Sequence, residues 1–105
     1  MTLTMNRIIG DKLDELKQLC KTYKVKTMYL FGSVCTDKFN DSRDIDILIS
    51  FDNLSVEEYT DNYFELHYKL QELFGRNIDL LTERSLSNPY FIKGLEQTKQ
   101  LVYAA

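Results

Sequence analysis

The segment Arg43-Asp44-Ile45-Asp46-Ile47-Leu48-Ile49-Ser50-Phe51 constrains this chain more than any other. Ile45, Ile47, Ile49 and Phe51 alternate with Asp44, Asp46, Leu48 and Ser50, the period of a β-strand with two unlike faces. Carboxylates are disfavoured in strands, because they neither pack nor tolerate burial. Asp44 and Asp46 stand roughly 6–7 Å apart at their Cα atoms and point the same way. Left alone they repel, and one tends to stay protonated. Two explanations are open. The strand lies at a wet sheet edge, where alternating Asp is solvated and discourages aggregation, or both carboxylates bind a divalent cation.

The other elements follow from periodicity and punctuation. Ile9, Leu13, Leu16, Cys20 and Tyr23 make one apolar stripe, predicting a helix over about Asp11 to Tyr23. A strand Thr27–Phe31 follows and ends at Gly32-Ser33, and the polar stretch Val34 to Ser42 reads as a loop. Ser55-Val56-Glu57-Glu58 is a capping-box pattern. It opens a helix whose stripe runs through Val56, Tyr59, Tyr63, Leu66, Leu70 and Leu73 and stops at Gly75. A strand over Asn77–Thr82, a short helix over Pro89–Gln97 and an edge strand over Lys99–Tyr103 complete the order α-β-β-α-β-α-β. The step from Phe31 to Asp44 is too short for a helical crossover, so those two strands are expected to be antiparallel neighbours in a mixed sheet.

With 105 residues, 44% hydrophobic and 28% charged, the expectation is one domain over 1–105 with a single core. A formal charge of −3 argues against nucleic acid bound through a broad basic surface. It leaves room for a nucleotide held through metal, where the ion supplies the positive charge. Cys20 and Cys35 lack CxxC spacing and have a single His for company, which makes zinc improbable and fits a reducing cytoplasm. No signal-peptide pattern and no run of roughly 20 apolar residues is present, so a cytoplasmic protein without a membrane span is expected.

Asp79, between Ile78 and Leu80, is the third carboxylate of interest. If its strand neighbours the Asp44 strand, Asp79 can join Asp44 and Asp46 on one face, bind a metal, and accept the proton of an attacking hydroxyl. Otherwise it is a solvated strand residue. Gly32-Ser33 can bring backbone N–H groups and a hydroxyl to phosphate oxygens, or simply form a turn. His67, Tyr59, Tyr63 and Tyr68 on the second long helix read as packing residues rather than chemistry. Lys12, Lys17, Lys21, Lys24 and Lys26 read as a solvated face.

Taken together, Leu30-Phe31-Gly32-Ser33, ten intervening residues, Asp44-Ile45-Asp46 in an apolar strand, and Asn77-Ile78-Asp79-Leu80-Leu81 resemble the nucleotidyltransferase superfamily that includes DNA polymerase beta and kanamycin nucleotidyltransferase. The short length resembles its minimal members. The resemblance covers about Lys12 to Tyr103. It implies an α/β (α+β) fold, a mixed sheet with helices packed on one face and the metal site on the other. It implies a nucleoside triphosphate, ATP foremost, and two Mg²⁺ ions. Gly32 and Ser33 would contact the triphosphate, while Asp44, Asp46 and Asp79 would bind metal and complete the catalytic site. The partner implied is a small helical HEPN-domain protein, whose tyrosine would receive AMP, so that the chain acts as an antitoxin. Homo-oligomerisation is left open.

One departure bears on activity. Thr36 stands where many relatives have Arg, in the run Val34-Cys35-Thr36-Asp37-Lys38. Lys38 or Arg43 is cationic but differs in reach and geometry. A second reading follows, in which the same fold is a weak or inactive antitoxin that neutralises its partner by contact.

Overall fold

The structure is a computed structural model and describes residues 7–31 and 44–105. Its elements are α1 (Arg7–Asp11), α2 (Leu13–Thr22), β1 (Val25–Phe31), β2 (Ile45–Phe51), α3 (Val56–Phe74), β3 (Ile78–Thr82), α4 (Pro89–Thr98) and β4 (Gln100–Ala104). A 3₁₀ turn over Glu83–Ser85 joins β3 to the segment leading into α4.

The four strands form one sheet in the order β3-β2-β1-β4. β1 runs antiparallel to both β2 and β4, while β2 and β3 are parallel. Parallel neighbours need a long crossover, and α3 supplies it. The sequence features at both ends of α3 act as expected. Ser55 Oγ accepts the Glu58 N–H at 3.2 Å and the Glu58 carboxylate accepts the Ser55 N–H at 3.5 Å, closing the capping box. At the other end Gly75 takes a left-handed φ of 64° and donates its N–H to the Gln71 carbonyl, a conformation open to glycine at little cost.

The first helix departs from the sequence expectation. Instead of one helix over Asp11–Tyr23, the chain breaks at Lys12 between α1 and α2. Lys12 leaves helical geometry at φ −109° and ψ 9°, yet its N–H still bonds the Ile9 carbonyl. Ile9 of α1 is fully buried in the core. Past α2, Lys24 sits at φ 60°, a left-handed non-glycine residue that makes the corner into β1.

One face of the sheet is sealed. Ile45, Ile47, Ile49 and Phe51 of β2, with Met28 and Leu30 of β1, pack against Leu16 and Cys20 of α2 and Leu66 and Leu70 of α3. Each such side chain contributes roughly 1.5–3 kcal/mol by leaving water. Cys20 belongs to this core, and burial pushes its thiol up to about 12, which leaves it inert at neutral pH. The other face carries α4, which docks by Leu95 against Phe31 and Leu48. The expected helices therefore cover one face through α2 and α3, with the short α4 added on part of the other. Among the described residues no helix is long and apolar enough to cross a membrane.

Candidate active site

β2 lies in the interior of the sheet, between β3 and β1. The wet-edge explanation for its two carboxylates is thereby removed. Every β2 residue is buried except Asp46, which is half-buried. Asp44, immediately before the strand, is exposed. An interior strand that admits a single ionisable side chain, and keeps it reachable from solvent, does so against its own packing interest.

The parallel register brings Asp79 of β3 directly beside Asp46. Both are on the face opposite the α2/α3 core, since Ile45 and Ile47 on one strand and Ile78 and Leu80 on the other all belong to that core. On the β1 side, Phe31 is the antiparallel partner of Asp46, and Phe91 of α4 meets the Phe31 ring edge-on at 6.1 Å. Asp46 thus has a carboxylate on one flank and an apolar wall on the other.

The electrostatics record this crowding. Burial raises the Asp46 carboxyl from 3.8 to about 6, and the charges of Asp79 and Asp44, with a hydrogen bond to Asp79, push in the same direction. The crowding therefore favours the protonated form of Asp46 more than solution would when no cation is present. The donor set is all carboxylate oxygen, which suits a hard divalent cation. Among the described residues no three His, Cys, Asp or Glu close into a metal cage by themselves.

Gly32, Ser33 and the departure at Thr36 lie outside the described residues, as do Cys35, Lys38 and Arg43. A cleft of about 280 Å³ opens on the same face, lined in part by Thr27, Ser50, Glu96 and Lys99. It sits at the far end of β2 from Asp46, so its size says nothing about the carboxylate chemistry.

Sequence reasoning passed over two neighbours of the carboxylates. Tyr63 donates its hydroxyl to the Leu80 carbonyl at 2.6 Å, and His67 Nε2 bonds the Ile78 carbonyl at 2.8 Å. These carbonyls flank Asp79 along β3. The Tyr63 phenol is held above its ordinary range by burial first, then by the charges of Asp79 and Tyr59. The readable signal was the i, i+4 spacing of Tyr63 and His67; their strand partners were visible only in three dimensions.

Comparison with known proteins agrees with this fold. The model of the nucleotidyltransferase domain matches residues 13–102. Two Methanocaldococcus jannaschii proteins, each named as a candidate protein adenylyltransferase, are each 35% identical over 96 residues, covering 90% of this chain and 93% of theirs. Among solved structures, a candidate minimal nucleotidyltransferase superposes with a TM-score of 0.73 at 21% identity, covering 88% of this chain and 90% of that one. A Shewanella oneidensis complex of a tri-AMPylated HEPN toxin with its MNT antitoxin gives 0.64 at 22% identity, covering 91% and 72%. The solved structures speak to the fold, and the domain match together with the M. jannaschii relatives fixes the family. The chain belongs to the nucleotidyltransferase-domain family.

Proposed function

We propose that this chain transfers AMP from ATP to a protein hydroxyl, with a tyrosine of a small helical HEPN-type partner as the acceptor, and thereby acts as an antitoxin. The observation that carries the reading is the placement of Asp46 and Asp79 side by side on an open face of an otherwise buried strand pair. The choice of adenylyl group and protein acceptor is supported by the names of the M. jannaschii relatives. The HEPN partner is supported by what the S. oneidensis complex contains.

In this reading Asp44, Asp46 and Asp79 would hold the cation and Gly32-Ser33 would hold the triphosphate. A bound Mg²⁺ supplies the positive charge that polarises the α-phosphate and offsets charge building on it. Two such ions are part of the proposal. Asp79, on the flank of Asp46 away from Phe31, receives the proton of the acceptor hydroxyl. The acceptor oxygen bonds to the α-phosphorus, the bond from that phosphorus to the bridging oxygen breaks, and pyrophosphate leaves. The buried Phe31 ring makes the other flank apolar, which strengthens charge interactions on that side.

The test uses ATP labelled at the α-phosphate and the co-expressed helical partner. Transfer of label to the partner is expected from the wild type and is lost in Asp44→Asn and Asp46→Asn. Undiminished transfer in both variants rules the mechanism out. Thr36, standing where the family resemblance implies an Arg in many members, motivates the second reading of a contact-only antitoxin. Tight partner binding with no calorimetric signal for Mg²⁺ and ATP selects that reading instead.

A further inference from the structure

The reading above leaves Asp79 with a demanding task and a weak mounting. β3 is five residues long, it is an edge strand, and the Asp79 side chain is exposed. Among the described residues its one strand neighbour is β2. An edge strand of this length frays readily unless its outer polar groups are satisfied.

The outer carbonyls are satisfied from α3. Tyr63 reaches Leu80 and His67 reaches Ile78, on either side of Asp79. The two spacings match. Four helix residues advance about 6 Å and two strand residues advance about 6.6 Å, so an i, i+4 pair can meet carbonyls two residues apart. Higher helix numbers meet lower strand numbers, which places the Tyr63-to-His67 turn antiparallel to β3. Because a carbonyl only accepts, His67 must carry its proton on Nε2. Tyr63 and His67 are also in contact, with ring centroids 6.2 Å apart. These are two donors of different chemistry, from one helical turn, spent on the two residues that bracket one carboxylate.

We propose that Tyr63 and His67 are positioning residues that clamp the outer edge of β3 and so hold Asp79 against Asp46. The proposal rests on the carboxylates being a cation site. Neither side chain touches substrate; each acts through the backbone on which Asp79 is carried. Loss of either donor frees one side of β3, and Asp79 ceases to be a preorganised oxygen donor.

Manganese(II) alone, with the free ion followed by electron paramagnetic resonance, is the probe, and amide exchange over residues 77–82 is the second readout. Tyr63→Phe and His67→Ala are each expected to weaken Mn²⁺ binding roughly tenfold or more and to speed exchange in β3, while His67→Gln, which keeps an N–H at the Nε2 position, stays within about threefold of wild type. Wild-type Mn²⁺ affinity in both Tyr63→Phe and His67→Ala, with cooperative unfolding retained, overturns the clamp. Wild-type protein that binds no Mn²⁺ overturns the cation site itself, and with it the role given to Asp79. A His67→Gln variant as impaired as His67→Ala overturns the assignment of the Nε2 hydrogen bond.

Discussion

The two faces of β2 obey opposite rules. Toward α2 and α3, Ile45, Ile47 and Ile49 are at most 1% exposed, and nothing ionisable interrupts them. Toward the open face the same strand opens with Asp46, pressed between Asp79 and an aromatic wall. The first face is what burial of apolar surface produces when stability alone decides. The second costs stability, since it holds carboxylates together that would separate in solution. The difference teaches where to look for function in a small domain: at the residue that an otherwise consistent strand would be more stable without.

The sharpest way to break the comparison is Asp46→Asn. On the open-face account it lowers adenylyl transfer on the order of 10³-fold, about 4 kcal/mol of barrier. The same substitution is expected to raise the melting temperature of the cation-free protein at neutral pH. A variant that loses both activity and stability would place Asp46 with the packing residues instead.

On the sealed face, Leu70→Ala removes a fully buried side chain and is expected to cost roughly 2–5 kcal/mol of unfolding free energy, read by urea titration. At low temperature, where the variant remains folded, Mg²⁺ affinity should match wild type. A changed affinity would mean that the two faces are not separable.

The pH dependence sharpens the contrast. Folding raises the Asp46 carboxyl from 3.8 to about 6, so the native state favours the protonated form. Its contribution to stability is fully present below pH 3.8 and is lost as pH rises through about 6. Melting curves of the cation-free wild type should therefore fall relative to Asp46→Asn across this window, and added Mg²⁺ should close the gap above it. Parallel curves for the two proteins would remove the crowding from the account.

A smaller effect belongs to neither face. Ser55→Ala removes the cap at the start of α3 and is expected to cost about 1 kcal/mol in the same titration, with Mg²⁺ binding unchanged. Smaller still is Lys24→Gly. It relieves the left-handed φ of 60° but gives up an exposed pairing with Glu58, so a net change within roughly 1 kcal/mol is expected.

Much of this was legible in the sequence where the signal is local. The alternation from Ile45 to Phe51 gave the two faces, and Ser55, Glu58 and Gly75 gave the ends of α3, because caps and periods are written in neighbouring residues. The pairing of Asp46 with Asp79 was readable only as a condition, that the two strands be neighbours; the parallel register met it. Three features were not legible. The break falls at Lys12, which is neither glycine nor proline, and the apolar stripe runs straight through it. The left-handed corner at Lys24 lacks the glycine that would announce it. The hydrogen bonds of Tyr63 and His67 to β3 depend on a coincidence of helix and strand spacing, which no reading of either segment alone contains.

The central claim is that Asp46 and Asp79 together make the open face a cation and nucleotide site. Calorimetric titration of Mg²⁺ with a non-hydrolysable ATP analogue into wild type, Asp46→Asn and Asp79→Asn tests it most directly. The account predicts binding to the wild type and at least a tenfold loss in each variant. Equal binding to all three proteins would contradict it.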